Sequence, residues 1–239
     1  MRIELKKRVF TSILLMTMLT LMYFFSYIMI ILLIIIGMIA WVEFYALISK
    51  IIPNNLVKDK FLRFLYKTAS LLYLSLLIYF IFAIESYYIN LKPYLLYSVL
   101  VAIFSDVGGL VFGKIFKGKK LTKISPNKTI SGSIGSFLLS LFLVPFFYIE
   151  LIKYSYLILI LITVLISLTT QLGDLFISYL KRKAKVKNTS DILPGHGGLL
   201  DRIDGIIFAI PVGILLFNLF EYENDCHFWI DWINRYHIN

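Results

Sequence analysis

Two aspartates lie inside apolar stretches of this sequence that are long enough to cross a membrane. They are Asp106 and Asp174, and a charged side chain in the hydrocarbon region costs about 2.5–3.5 kcal/mol on insertion scales. An acidic group retained at that cost is a candidate for a functional site. The structural alternative is that Asp174 pairs with a basic residue to anchor helix packing, and that Asp106 supports packing together with its neighbouring glycines.

Several polar residues share a helical face with Asp174. They are Gln171, Ser178, Lys181 and Arg182, which stand three, four, seven and eight positions from it. Residues at these spacings lie on one side of an α-helix. The sequence therefore predicts a polar stripe that runs along this helix to its basic end.

A glycine-rich loop and two more carboxylates come next along the chain. Residues 194–198 read PGHGG, which is incompatible with a helix, and Asp201 and Asp204 stand where the next helix is predicted to begin. The two aspartates are three positions apart and share a face of that helix. Because acidic residues in a first helical turn favour the helix dipole, simple N-terminal capping is the structural alternative for this pair.

Carboxylates from two helix ends, basic side chains and glycine-rich backbone together suit nucleotidyl transfer. Carboxylate oxygens are hard ligands for Mg²⁺, the metal binds triphosphate oxygens, and basic groups offset the charge that develops. Glycines let backbone N–H groups approach phosphate closely. The pattern therefore predicts phosphate chemistry with Mg²⁺ as cofactor.

The composition indicates which elements must position these groups. Of the 239 residues, 59% are hydrophobic and 16% are charged, whereas a soluble domain has roughly half apolar and about a quarter charged residues. Apolar runs near the ~20 residues of a membrane-spanning helix fill most of the chain. The fold class predicted is all-α: one integral membrane domain over residues 1–239, a helical bundle of about seven transmembrane helices.

The predicted helices divide the chain into three parts. Residues 1–92 hold the N-terminal helices, residues 93–220 the catalytic helices and cytoplasmic loops, and residues 221–239 a polar tail. Two crossings are predicted between residues 9 and 49, with a tight turn near 23–27. The other five helices are predicted at about 64–84, 93–116, 131–149, 155–180 and 204–220.

The distribution of basic residues predicts the orientation in the membrane. With a cytoplasmic N-terminus, the residues before the first helix and the segments 50–67, 114–128 and 181–202 hold 21 of the 24 Lys and Arg residues, as the positive-inside rule requires. Both chemically interesting regions, 105–133 and 171–205, are then cytoplasmic. The formal charge of +10 is accounted for by topology, so nucleic acid is not expected as a partner. The single cysteine, Cys226, excludes a disulfide or a cysteine metal site.

The motifs resemble those of a known family. Residues 178–204 read SYLKRKAKVKNTSDILPGHGGLLDRID, which resembles the signature of phosphatidate cytidylyltransferases, except that Asn188 stands where the family usually has Asp. The stretches SD-x-GG at 105–109, GK at 113–114, SPNKT at 125–129 and GDL at 173–175 also look like elements of that family, although Ile177 replaces a Glu that is common in relatives. The resemblance covers about residues 93–220.

The resemblance implies a reaction and a set of residues that perform it. A phosphatidate oxygen would attack the α-phosphorus of CTP, releasing pyrophosphate and giving CDP-diacylglycerol at the cytoplasmic side of a bacterial-type inner membrane, with a homodimer as a possible assembly. It implies that the metal ligands are Asp174 and Asp201, with Asp204 as a further ligand or as a residue that orients one. The implied substrate and phosphate contacts are Lys181, Arg182, Arg202, His196, Gly197, Gly198, Asp106, Ser125, Asn127 and Lys128.

Structural alternatives remain for several of these residues. A basic cluster beside a membrane also serves topology and lipid headgroups. His196 could be a turn residue that hydrogen-bonds the backbone, and SPNKT could be a plain polar turn. Two rival functions are a CTP-dependent lipid kinase of the polyprenol or phytol type, which would release CDP, and an ion-coupled transporter that uses Asp106 and Asp174.

Overall fold

The protein is an all-α polytopic membrane bundle. The computed structural model describes residues 17–18, 20–53, 56–122, 124–125, 128–149, 151, 154–193 and 197–220. Within these ranges the regular structure is helical, and the only extended pairings are two isolated bridges, Lys120 with Thr129 and Leu193 with Gly197. Six helical stretches of the described chain are long and apolar enough to cross a membrane, which confirms the predicted fold class.

The helices are α1 (Ser26–Ile51), α2 (Val57–Ser86), α3 (Lys92–Phe116), α4 (Ile130–Leu141), α5 (Val144–Phe147), α6 (Tyr156–Lys183) and α7 (Leu200–Phe220). α4 and α5 together form one of the six spans, Ile130–Phe147. The first turn of α7, Leu200–Ile203, is followed by turn residues at Asp204 and Gly205 before the helix continues. The described chain forms two compact units: the residues up to Ile89 with Asp174–Asp204, and Asn90–Gly173 with the residues from Gly205 onwards.

In the first unit, α1 and α2 form an antiparallel hairpin. The chain leaves α1 through the extended residue Ile52 and then Pro53, which cannot continue a helix. Along the hairpin the Ser26 hydroxyl donates to Glu85 Oε1 (2.6 Å), and the Trp41 indole N–H donates to the Lys67 carbonyl (3.2 Å). From the first contact to the second, the residue number rises from 26 to 41 on α1 and falls from 85 to 67 on α2, so the two helices run antiparallel.

The end of α6 is fixed by a hydrogen-bonded C-cap. Lys185 adopts the left-handed conformation (φ 57°), and the Val186 N–H bonds back to the Lys181 carbonyl (3.0 Å). This 6→1 bond satisfies a carbonyl that the helix leaves unpaired and turns the chain away from the helix axis. The polar stripe predicted on α6 therefore leads directly into the loop that ends at α7.

In the second unit, α3 and α4 pack through glycines. A Cβ on Gly109 would lie 2.9 Å from Ser136 Oγ, and one on Gly132 would lie 2.8 Å from the Gly109 carbonyl oxygen. Because side chains are absent at these positions, the two backbones come close together. The glycines after Asp106 thus have a packing role.

The core of the second unit combines aromatic rings with buried hydroxyls. The Tyr94 and Phe217 rings stack at 4.6 Å, and the Tyr154 hydroxyl donates to the Phe217 carbonyl (2.9 Å). The Tyr97 hydroxyl bonds Thr163 Oγ1 at 2.6 Å. The buried hydroxyls of Tyr97, Tyr154 and Thr163 therefore have partners, as a low-dielectric interior requires.

The predicted helix positions agree with the structure apart from their ends. α2 starts earlier and α7 begins at Leu200, while the span predicted at 131–149 is interrupted at residues 142–143. Near the tight turn predicted at 23–27, one extended residue, Phe25, precedes α1. Most of the first predicted crossing lies outside the described residues, so the count of seven and the cytoplasmic N-terminus stay predictions.

Candidate active site

An ion pair joins the basic end of α6 to the start of α7. Lys181 Nζ donates to Asp201 Oδ1 at 2.6 Å, and the two side chains are only 12% and 8% exposed. Both residues were predicted for the site, but as a phosphate contact and a metal ligand rather than as partners of each other. Lys181 follows Asp174 by two helical turns, and helical side chains tilt toward the N-terminus, so the Lys181 side chain reaches back toward the Asp174 level.

The second oxygen of Asp201 organises the loop between α6 and α7. Oδ2 accepts hydrogen bonds from the Thr189 N–H (2.9 Å), the Gly198 N–H (3.1 Å) and the Thr189 hydroxyl (3.1 Å). The donors are loop groups that lie before α7, so Asp201 is not a simple N-cap of that helix. Hydrogen bonds to a carboxylate are among the stronger ones in proteins. Asp201 therefore holds the Thr189 and Gly198 parts of the loop close together.

Glu43 of α1 is the residue that sequence reasoning missed. Its side chain is 2% exposed, and each carboxylate oxygen accepts one hydroxyl and one backbone N–H. Oε1 accepts from Ser190 Oγ (2.6 Å) and the Leu199 N–H (2.9 Å). Oε2 accepts from Thr189 Oγ1 (2.7 Å) and the Leu200 N–H (2.8 Å).

These contacts make Glu43 a cap supplied from another helix. The first N–H groups of a helix have no partner within it, and a carboxylate at that end also complements the helix dipole. The only sequence signal for this role was a carboxylate within an otherwise apolar run, which is the same signal that singled out Asp106 and Asp174.

The Thr189 hydroxyl lies between two carboxylates. Its oxygen is 2.7 Å from Glu43 Oε2 and 3.1 Å from Asp201 Oδ2. A hydroxyl carries one proton, so it donates to one carboxylate at a time, and the shorter distance favours Glu43. Thr189 therefore connects α1 to the carboxylate that holds Lys181.

The glycines of the loop have defined conformational roles. Gly197 has φ +84°, a left-handed conformation that favours glycine, and its N–H and carbonyl both pair with Leu193 (3.1 and 2.9 Å). The Gly198 N–H is donated to Asp201. The N–H groups of Gly197 and Gly198 thus both donate to acceptors within the loop or at the start of α7. A contact of these glycines with phosphate stays a prediction. Residues 194–196, including His196, lie outside the described residues.

We expect Gly198→Ala to disorder this loop. A Cβ there would overlap the Thr189 hydroxyl and lie 2.6 Å from Glu43 Oε2, so the loop would have to move away from both carboxylates. Activity should fall by about tenfold or more, since displacing even one hydrogen bond to a charged group costs about 1.5–3 kcal/mol. Turnover of purified protein measures it. Ile192→Ala, at an exposed position of the same loop, should stay near the wild-type rate, and equal losses in the two variants would contradict the assignment.

The other predicted residues of this unit lie on α6 and at the start of α7. Ser178 Oγ donates to Asp174 Oδ1 at 3.2 Å, one helical turn away, and the Asp174 side chain is half-buried. Asp204 is buried, at 5% exposure, whereas Arg182 and Arg202 are exposed.

The predicted nucleotide-binding stretch belongs to the second unit. The Lys128 N–H donates to the Ser125 carbonyl (3.0 Å), and Lys120 pairs with Thr129 in an isolated antiparallel bridge. Thr129 Oγ1 accepts from the Gly132 N–H (3.1 Å) and so caps α4. Asp106 is half-buried on α3, and Asn127 lies outside the described residues. The binding roles of Asp106, Ser125 and Lys128 stay predictions.

The donor chemistry fits Mg²⁺. Asp174 and Asp201 supply hard carboxylate oxygens, and protein-bound Mg²⁺ is commonly held by one or two carboxylates together with substrate phosphates. Across the described ranges, no three His, Cys, Asp or Glu side chains are grouped to hold a metal ion by themselves.

Comparison with known proteins places these residues in a family. The family model described as the cytidylyltransferase family matches residues 2–220. A phosphatidate cytidylyltransferase of Staphylococcus haemolyticus is 42% identical over 130 residues, which are 53% of this chain and 50% of that protein.

Two further relatives carry the same description. The phosphatidate cytidylyltransferase of Bacillus subtilis is 41% identical over 130 residues (54% of this chain, 48% of that protein), and that of Staphylococcus aureus strain COL is 43% identical over 122 residues (50% and 46%). The chain thus spans about half the length of the curated relatives it matches.

Proposed function

The chain belongs to the cytidylyltransferase family, and from that premise we propose that it transfers the cytidylyl group of CTP to phosphatidic acid, giving CDP-diacylglycerol and pyrophosphate. The observation that carries the proposal is the loop at 188–201, in which Asp201 holds Lys181 and two backbone N–H groups at the end of a membrane-spanning helix. It is also the segment that resembles the phosphatidate cytidylyltransferase signature.

The reaction is a displacement at the α-phosphorus of CTP. An oxygen of the phosphatidate phosphate forms the new P–O bond, and the bond to the β,γ-diphosphate breaks, so the electron pair leaves with pyrophosphate. The nucleophile is already an oxyanion, so positioning and charge neutralisation do most of the catalytic work. A protein nucleophile is not needed.

The chain's own cations and N–H groups would position the two phosphates. Arg182 and Arg202 are exposed on either side of the loop and would bind triphosphate or phosphatidate oxygens through their forked guanidinium groups. Lys181 would stay within reach of the same oxygens when its contact with Asp201 loosens. Gly197, Gly198 and His196 would contact phosphate oxygens. Within the second unit, Asp106, Ser125, Asn127 and Lys128 are the residues proposed to contact the nucleotide.

Asp174 and Asp201, with Asp204 as a further ligand or orienting group, would hold Mg²⁺. When bound, the ion would neutralise negative charge on the triphosphate and on the departing pyrophosphate. Ser178 orients the Asp174 carboxylate and Thr189 that of Asp201. This chemistry would take place at the cytoplasmic face of a bacterial-type inner membrane, and the clustering of basic residues in the predicted cytoplasmic segments supports that side. A homodimer would hold two such sites.

The decisive experiment identifies the products. Purified protein in detergent would be given phosphatidic acid, CTP labelled in its cytosine ring, and Mg²⁺. We expect a labelled lipid and one pyrophosphate per labelled lipid, both lost on adding EDTA. Labelled CDP without labelled lipid would instead indicate a lipid kinase, and no turnover together with ion flux in vesicles would indicate the transporter.

A matched pair of variants links the product to the predicted carboxylates. Asp174→Asn should lose the labelled lipid, because the amide removes the charge that binds the cation. Asp191→Asn makes the same change at an exposed loop position and should retain activity. Equal activity in the two variants would remove Asp174 from the proposed site.

A further inference from the structure

A pocket lies between α1 and α2 within the first unit. Its volume is about 450 Å³, within the range of small-molecule sites. It is lined by residues from the end of α1 and the start of α2: Trp41, Tyr45, Ser49, Lys60, Arg63, Phe64, Lys67, Thr68 and Leu71. The loop with Asp201 and Glu43 contributes none of these lining residues, so the pocket is a separate feature.

The pocket is built for an anion. Its lining residues carry three cationic side chains, Lys60, Arg63 and Lys67, and no carboxylate among the positions described. Lys67 Nζ lies 3.2 Å from the centre of the Tyr45 ring, a cation–π contact that holds the ammonium in place without neutralising it. The net positive charge of the pocket therefore stays available to a ligand.

Two buried polar atoms in the pocket have unused hydrogen-bonding capacity. Arg63 Nη2 donates to the Ser49 carbonyl at 3.2 Å, which fixes the guanidinium against α1. Arg63 Nε and Ser49 Oγ are buried and have no partner within the described chain. Both atoms are covered by neighbouring groups, so a ligand in the pocket would reach them after a small shift of those groups. Since buried polar atoms in proteins are normally satisfied, a ligand that accepts from both would supply the missing partner.

The remaining lining residues indicate where that ligand comes from. Trp41 and Tyr45 are residue types enriched at membrane–water interfaces, and they lie toward the end of a membrane-spanning helix. Phe64 and Leu71 add an apolar wall that a free inorganic anion would not need. A basic segment that only set the topology would require charge but no pocket.

We propose that this pocket binds the headgroup phosphate of an anionic glycerophospholipid, with Arg63 Nε and Ser49 Oγ as donors and Phe64 and Leu71 against the glycerol and upper acyl chains. The inference does not depend on the proposed nucleotidyl transfer. Phosphatidic acid, a phosphomonoester, and phosphatidylglycerol, a phosphodiester, both present an anionic phosphate, so the test must include both lipids.

Trp41 reports on the pocket directly. With Trp229→Phe and Trp232→Phe, Trp41 is the last of the three tryptophans, and full-length protein of that background would be reconstituted in phosphatidylcholine vesicles. A minority of brominated phosphatidic acid, phosphatidylglycerol or phosphatidylcholine would then quench its fluorescence. We expect the anionic lipids to quench several-fold more strongly than phosphatidylcholine at equal fraction. Stronger quenching by phosphatidic acid than by phosphatidylglycerol would identify the substrate lipid as the occupant, and equal quenching would identify any anionic phospholipid.

Variants separate a built site from general surface charge. Arg63→Gln and Ser49→Ala should bring the anionic lipids down to the phosphatidylcholine level, whereas Lys58→Gln, an exposed cation on the same helix outside the lining, should keep the preference. Ser49→Ala leaves the Arg63 bond to the Ser49 backbone intact and so guards against a folding defect. Equal quenching by all three lipids, equal losses in Lys58→Gln and Arg63→Gln, or full competition by millimolar inorganic phosphate would overturn the proposal.

Discussion

Asp201→Asn is expected to lower nucleotidyl transfer by at least about 100-fold in protein that still inserts into the membrane. The amide keeps an oxygen for loop donors but leaves the Lys181 ammonium, 12% exposed, without its counter-charge. Removing one partner of a buried ion pair costs about 3–5 kcal/mol, and every ~1.4 kcal/mol is a factor of ten in an equilibrium. The site geometry and the charge proposed to bind the cation are lost together.

A double variant distinguishes catalysis from folding at this pair. Asp201→Asn with Lys181→Met removes both charges, so its thermal unfolding temperature should recover toward wild type, because an unpaired buried charge no longer remains. Its activity should stay at the level of the single variant. Lys183→Met, which removes an exposed charge from the same helix end, is the control expected to turn over normally. Recovery of activity in the double variant would show that Asp201 has only a structural role.

Glu43→Leu is expected to have the second largest effect, although Glu43 contacts the proposed reaction centre only through the loop. Leucine leaves the N–H groups of Leu199 and Leu200 without their acceptor. A buried donor left unsatisfied costs about 1–3 kcal/mol, so two of them shift the loop equilibrium by about 2–6 kcal/mol. Activity should fall by about 30-fold or more, measured as turnover at saturating CTP.

The conservative variant makes Glu43 testable as a positioning residue. Glu43→Gln keeps one oxygen as an acceptor, but its NH₂ group would face one of the two backbone N–H donors and repel it. The variant should therefore retain an intermediate rate. Raising Mg²⁺ and CTP should not restore kcat in Glu43→Leu, since the defect lies in loop order rather than in binding strength. If Glu43→Leu changed KM alone, or if Gln were as inactive as Leu, the positioning role would be wrong. Glu85→Gln, at a carboxylate at the far end of the same hairpin, is the matched control.

Much of this fold followed from the sequence because apolar length alone specifies membrane helices. The predicted 93–116 and the observed Lys92–Phe116 differ by one residue. Pro93 is a sequence signal for the start of this helix, whereas the left-handed conformation of Lys117 at its end is visible only in the structure. The interruption at residues 142–143 has its sequence signal in Pro145, in the first turn of α5, because proline lacks the N–H that would continue the preceding helix. Asp174, Lys181 and Asp201 lie in one compact unit, which is consistent with the motif at 178–204.

The contacts that build the loop could not be predicted from spacing. Lys181 and Asp201 are 20 positions apart across an irregular segment, where neither helical nor strand periodicity applies. Glu43 is 146 positions from Thr189, and a single carboxylate carries no information about a partner so distant. Sequence reasoning identified the types of group in the site but not which of them bond to each other.

The long separation between Glu43 and its donors sets the order in which the protein can be assembled. The ribosome adds roughly 5–20 residues per second, and 146 to 157 residues separate the carboxylate from its four donors. Glu43 is therefore translated roughly 7 to 31 s before the groups that bind its carboxylate. Closing the loop is a late event in biogenesis, and a chain arrested before residue 189 exposes an unsatisfied carboxylate that distinguishes it from a finished one.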